Sequence, residues 1–106
     1  EVNMLEIKAW CKLEHGRLER LSEKTGLKKQ YLSEFICGCK KLKQDRINLI
    51  YDCMAMIENE TMQDIERVRS VIARSLRWSE SNNKFIREFS LFELKRWTDL
   101  YVECVK

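Results

Sequence analysis

The sequence predicts an all-α protein, an N-terminal helix-turn-helix bundle followed by a C-terminal helical segment suited to oligomerisation. Three observations carry this. Proline is absent and glycine occurs only three times, whereas β proteins need turn residues often. Charged residues make up 35%, which suits the outer faces of amphipathic helices. Apolar residues recur at spacings of three and four instead of alternating. The 106 residues amount to one small domain, and an apolar fraction of 44% argues against disorder.

The elements follow in chain order. A first helix covers 3–14, with Leu5, Ala9 and Leu13 on one stripe and Trp10 beside it, and Gly16 stops it. A second covers 17–24, with Leu18 and Leu21 inward, and Gly26 then takes a left-handed turn cheaply. A third runs from Lys28 to Gly38, with Leu32, Phe35 and Ile36 apolar. After a short basic loop, a fourth covers 45–58 on the spacing of Ile47, Ile50, Met54 and Ile57. Thr61-Met62-Gln63-Asp64 reads as a capping box with Thr61 as cap. It opens a helix through Ile65, Val68, Ile72 and Leu76 that ends near Trp78. A polar break covers 79–83. Ser90-Leu91-Phe92-Glu93 reads as a second capping box, opening a last helix with Leu94, Trp97, Tyr101 and Cys104 on one face. Between them Phe85, Ile86 and Phe89 form either a helical turn or an extended arm. The break at 59–61 divides a unit over 1–60 from a helical pair over 61–106.

Residues 16–41 carry the functional signal. A helix-turn-helix joins two steeply crossing helices through three or four residues. It needs a residue tolerant of positive φ in the turn, here Gly26. It needs a small residue where the second helix packs close, here Ser22. Leu18, Leu21, Leu27, Leu32 and Phe35 then hold the two helices together. A plain helical hairpin would produce most of this pattern, so generic helical packing is the competing reading. Lys28, Lys29, Gln30 and Ser33 are expected to face outward, with Tyr31 and Glu34 as further candidates. In the motif the second helix enters the major groove with its first residues at the base edges. Gln30 can offer a paired donor and acceptor to adenine, and lysine can donate to guanine or phosphate. Ser33 can reach either, and Tyr31 offers a ring to a thymine methyl or a hydroxyl to phosphate. Glu34 must sit away from the backbone, accept from cytosine, or pair with a neighbouring lysine. Lys40, Lys41 and Lys43 would bind phosphate without reading sequence. The formal charge of only +3 proves no nucleic-acid partner, and for each of these residues a solvated surface is the plain alternative.

The segment "IKAWCKLEHGRLERLSEKTGLKKQYLSEFICGCKKL" resembles Cro/repressor-type helix-turn-helix proteins of phages and prophages, especially the YdaS-like subgroup. The corresponding residues are Ile7 to Cys11, Gly16-Arg17, Leu21-Ser22, Gly26-Leu27, Leu32 to Phe35 and Cys37 to Lys40. The resemblance covers about the first 58 residues. It implies a bacterial or phage regulator, a Cro-like repressor or lysis–lysogeny protein, working on double-stranded DNA in the bacterial cytoplasm and nucleoid-associated when bound. Some similar proteins were first labelled antitoxins, and an interaction module with a host protein as partner is the alternative. The chain departs from the pattern at Lys28, where relatives carry a capping Ser or Thr. It departs again at Glu34, often Gln in relatives, and in the exit loop, which lacks their proline.

A single small unit of this kind binds DNA weakly, and dimers present two recognition helices one DNA turn apart. Phe89, Phe92, Leu94, Trp97 and Tyr101 are therefore expected to form a homo-oligomer surface, dimeric or tetrameric. Completing the monomer core is their other reading. The five cysteines (Cys11, Cys37, Cys39, Cys53 and Cys104) form no C-x-x-C pair, and Cys37-Gly38-Cys39 is too tight for usual zinc spacing. Reduced, mostly buried thiols are expected, with no metal and no cofactor. His15 has no acid or nucleophile at a useful spacing, and no phosphate-cradling glycine loop exists, so no enzyme is expected. No apolar run reaches the roughly 18–20 residues of a membrane span, and no leader opens the chain. It starts on Glu1, not Met, which is compatible with a few residues having preceded it.

Overall fold

The computed structural model describes residues 2–106. Six helices are present among them: α1 (Val2–Lys12), α2 (Arg17–Thr25), α3 (Lys29–Ile36), α4 (Gln44–Met62), α5 (Ile65–Trp78) and α6 (Lys84–Val105). The all-α class is thus as expected. No helix among the described residues is long and apolar enough to cross a membrane.

Two hydrophobic clusters hold the helices. The first joins Ile7 and Trp10 of α1, Leu21 of α2, Leu32 and Phe35 of α3, and Ile47, Ile50, Cys53, Met54 and Ile57 of α4. The second joins Leu13, just past α1, to Val68 and Val71 of α5 and Trp97 of α6. Phe89 of α6 packs against both. Leu13 and Phe89 each contribute to a cluster dominated by the other half of the chain, so the two halves share apolar burial across the 59–61 break.

Charged side chains reinforce that junction. Glu14 is buried and accepts from Arg67 twice, Nε to Oε2 at 2.8 Å and Nη2 to Oε1 at 3.0 Å. Arg17, fully buried, donates to Glu14 Oε1 at 3.4 Å and to the Trp10 carbonyl at 3.1 Å. Its guanidinium lies 4.3 Å from the Trp10 ring centre. Thr61 closes the group, its hydroxyl within 3.4 Å of Glu14 Oε1. Burial alone would raise the Glu14 carboxyl, but the Arg67 hydrogen bond and the Arg17 charge outweigh it and hold it below the ordinary value. On α6, Arg96 ties Glu58 at 2.8 Å and Glu93 at 2.9 Å.

Several boundaries and faces differ from expectation. Thr61 is not a cap: α4 continues through it, it is fully buried, and its hydroxyl donates back to the Ile57 carbonyl at 2.9 Å. Asp64 caps α5 instead, accepting from the Glu66 N–H at 3.0 Å. Ser90 and Glu93 are not a capping box either. They lie inside α6, which begins six residues before Ser90 behind an Asn83 cap that accepts from the Ile86 N–H at 3.2 Å. Ser90 and Glu93 share a buried stripe with Ile86 and Trp97. The spacing of three that marks a capping box also marks one helix face, so the sequence pattern fits both. Phe85 and Phe89 are the first turns of α6, their rings stacked at 6.3 Å. On α5 the buried residues are Val68, Val71 and Ser75, while Ile65 and Leu76 face solvent.

The expected oligomer residues divide accordingly. Trp97 is corrected: it has no exposed area and belongs to the second cluster. Phe89, Leu94 and Tyr101 are half-buried, and Phe92 is 69% exposed.

Candidate nucleic-acid interface

The turn between α2 and α3 consists of Gly26, Leu27 and Lys28. Gly26 has φ 78° and its N–H bonds to the Ser22 carbonyl at 3.0 Å, closing α2 with a left-handed residue. A side-chain Cβ there would meet nothing within 4 Å, so it is the backbone angle, not space, that calls for glycine. Ser22 Oγ donates to the Leu27 carbonyl at 2.6 Å. Thr25 Oγ1 accepts from the Leu27 N–H at 3.2 Å. These bonds satisfy both backbone groups of Leu27, which packs against the first cluster. At the far end of α3 the Gly38 N–H bonds to the Phe35 carbonyl and the Cys39 N–H to the Glu34 carbonyl, at 3.0 and 2.8 Å. That is a Schellman stop, with Gly38 at φ 82°.

Leu32 and Phe35 bury one face of α3. Helical geometry puts Gln30, Ser33, Glu34 and Cys37 on the opposite side. Gln30 and Cys37 are exposed, Ser33 and Glu34 half-buried. Tyr31 sits at one margin, with Lys40 Nζ 4.8 Å and the Arg46 guanidinium 5.7 Å from its ring centre. At the other margin Ser33 and Cys37 share a shallow groove with Lys8 and Lys12 of α1. The outward face of α3 therefore runs between Tyr31 with Lys40 and Arg46 on one margin and Lys8 on the other, while the Lys12 ammonium lies 4.5 Å from the Trp78 ring centre.

No protein-family model, curated protein or solved structure matches this chain.

The expected contact residues separate by ion pairing. Lys28 occupies the N-cap of α3 in extended backbone with no side-chain cap bond. It, Lys41 and Lys43 are exposed, with no ion pair among the described residues. Lys29 is paired to Glu19 at 2.5 Å, and Lys40 to Glu34 at 3.8 Å. Of the three arrangements open to Glu34, the free protein adopts the pairing with a lysine. All of these pairs are exposed or nearly so and exchange readily with a competing anion. Sequence reading missed Arg46, in the first turn of α4, because it stopped at the lysine run. It also missed Lys8 and Lys12. Their spacing of four places them on one helix face, but only the packing of α1 against α3 brings that face beside Ser33.

The thiols differ from expectation. Cys37, Cys39 and Cys104 are exposed, Cys53 is buried and Cys11 is half-buried. Burial pushes the Cys11 thiol up to about 12 and raises that of Cys53. In the native protein a maleimide should label the three exposed cysteines promptly, and Cys11 and Cys53 only after denaturation. Peptide mass spectrometry checks this, and prompt labelling of Cys11 in the folded chain would contradict its placement.

Proposed function

We propose that this chain is a sequence-specific DNA-binding transcription regulator, a phage or prophage repressor that covers an operator as a dimer or higher oligomer. In this reading α3 lies in the major groove, Gln30 and Ser33 meet base edges, and Tyr31 reaches a base methyl or a phosphate. Lys28, Lys29, Lys40, Lys41 and Lys43 bind the phosphates on either side, joined by Arg46. The observation that carries the reading is the short, tightly tied turn before α3, together with an outward helix face bordered by cations on both margins.

Selection of bound duplexes from a random pool at about 0.15 M salt tests it. An inverted repeat with half-sites about 10 base pairs apart, or a multiple of that, is expected. On the selected site Gln30→Ala should cost about 1–3 kcal/mol and relax preference at one base position, whereas Lys41→Ala should weaken all sequences alike and reduce the salt slope by about one. Uniform loss in both variants would refute the docking of α3.

One observation favours a second reading, an interaction module acting on a host protein. Lys29 and Lys40 are already paired to Glu19 and Glu34, so the α3 face carries less free charge than its lysines suggest. A folded protein that enriches no duplex would move the assignment there.

A further inference from the structure

The outward face of α6 carries more exposed apolar area than monomer packing explains. Leu91 is 50%, Phe92 69%, Val102 43% and Val105 53% exposed. The buried stripe Ile86, Ser90, Glu93 and Trp97 turns the opposite side to solvent, and Glu88, Phe92, Lys95, Asp99 and Val102 all lie there, each exposed. Their order has an internal symmetry about residue 97. Lys95 stands two positions before it and Asp99 two after. Phe92 stands five before and Val102 five after. Glu88 and Lys106 stand nine before and nine after.

An antiparallel pair of identical helices crossing at residue 97 brings these positions face to face. Each Lys95 then meets the other copy's Asp99, each Phe92 comes level with Val102, and each Glu88 comes level with Lys106. A two-fold interface requires this kind of self-complementarity, because every contact must occur twice with its partners exchanged. Other registers lack it. A shift of one helical turn in one direction sets Asp99 against itself on the axis, and in the other direction sets Lys95 against itself. A parallel pairing also sets Lys95 against Lys95.

The surface relief agrees with the charges. A groove beside α6 is lined by Met62 and Leu100 together with Lys95, Arg96, Asp99 and Glu103. The two-fold operation keeps each side of the ridge on the same side in its partner. Phe92, which borders that groove, therefore points into the other copy's groove at the level of Val102. The most exposed aromatic ring thus enters a concave site on its partner whose apolar surface includes Met62 and Leu100, twice.

We infer that the α6 ridge is a homodimer interface, formed by two copies packed antiparallel about a two-fold axis at the level of Trp97. This gives the self-association in the proposed regulator its surface. It is testable without DNA, so failure of either statement leaves the other to be judged separately.

The experiment is sedimentation velocity of the full chain across the micromolar range, without DNA, with circular dichroism to confirm folding. The wild-type chain should sediment at twice its 12.8 kDa. Phe92→Glu and Lys95→Glu, both at exposed positions, should stay helical and weaken the dimer by about tenfold or more, since each places like charge or buried charge in the interface twice. Lys95→Glu combined with Asp99→Lys should restore it, because the pairs reform with their signs exchanged. The inference is overturned by a wild-type monomer throughout that range or by a dimer indifferent to Phe92→Glu. It is equally overturned by a double variant that stays folded and as monomeric as Lys95→Glu.

Discussion

Replacing Glu14 by alanine is expected to destabilise the fold by about 3–5 kcal/mol, because it leaves Arg17 buried and Arg67 partly buried without their shared carboxylate. Against the roughly 5–15 kcal/mol that holds a small domain together, this is a large share. Urea unfolding followed by circular dichroism measures it, and a loss below about 1 kcal/mol would mean that water replaces the carboxylate at Arg17. The same residue gives a pH dependence. Its carboxyl is held below the ordinary value in the folded protein, so the unfolded chain takes up a proton first as pH falls. The contribution is therefore full above the unfolded carboxyl value of about 4.3 and fades as pH drops through the lower folded value. Glu93 has the opposite sign. Burial raises it in spite of Arg96, so its protonation favours the folded state at lower pH. Comparing the acid limbs of wild type and Glu14→Gln isolates the Glu14 part, and the Gln variant should show the shallower loss.

Trp97→Ala should cost about 3–5 kcal/mol through the cavity it leaves in the second cluster. Trp97 is fully buried among Leu13, Val68 and Val71, and its indole N–H has no partner, so packing and not hydrogen bonding is what would be lost. For a chain of this size that is a fall in melting temperature of at least about 10 °C, measurable by calorimetry. Trp97→Phe, which keeps most of the volume, should cost far less. A Trp97→Ala chain of normal stability that merely loses self-association would return this residue to the surface role that its spacing first suggests.

Trp97 also shows why local pattern reaches only so far. Leu94, Trp97, Tyr101 and Cys104 share a helical spacing, yet Trp97 is in the core, Cys104 is exposed, and Leu94 and Tyr101 lie between. A period of 3.6 identifies a helix and an apolar stripe, but the stripe is wide enough for its centre to be misjudged by one residue. The same error placed Ile65 and Leu76 inward on α5 in place of Val71 and Ser75. Ser90 and Glu93 were misread for a related reason: a polar residue on a buried stripe looks like a cap unless its packing partners are known. Where the chemistry is local, neighbouring residues suffice. Gly26 and Gly38 each close a helix at positive φ, and no distant residue is needed to say so.

The sequence alone determined the all-α class, most of the helices, the three-residue turn before α3, and the exposure of Lys28, Gln30 and the lysines beyond Gly38. These depend on φ preference, capping chemistry and periodicity, which act within a few residues. The tertiary structure decided the rest. It joined Glu14 to Arg67, 53 positions apart, and placed Lys8 and Lys12 beside Ser33. It also carried α4 through Thr61 and turned Trp97 inward and Phe92 outward on one helix. In each case the deciding quantity is water exclusion by side chains remote in sequence. That exclusion makes a buried carboxylate depend on its arginines, and it leaves the Phe92 ring on the surface.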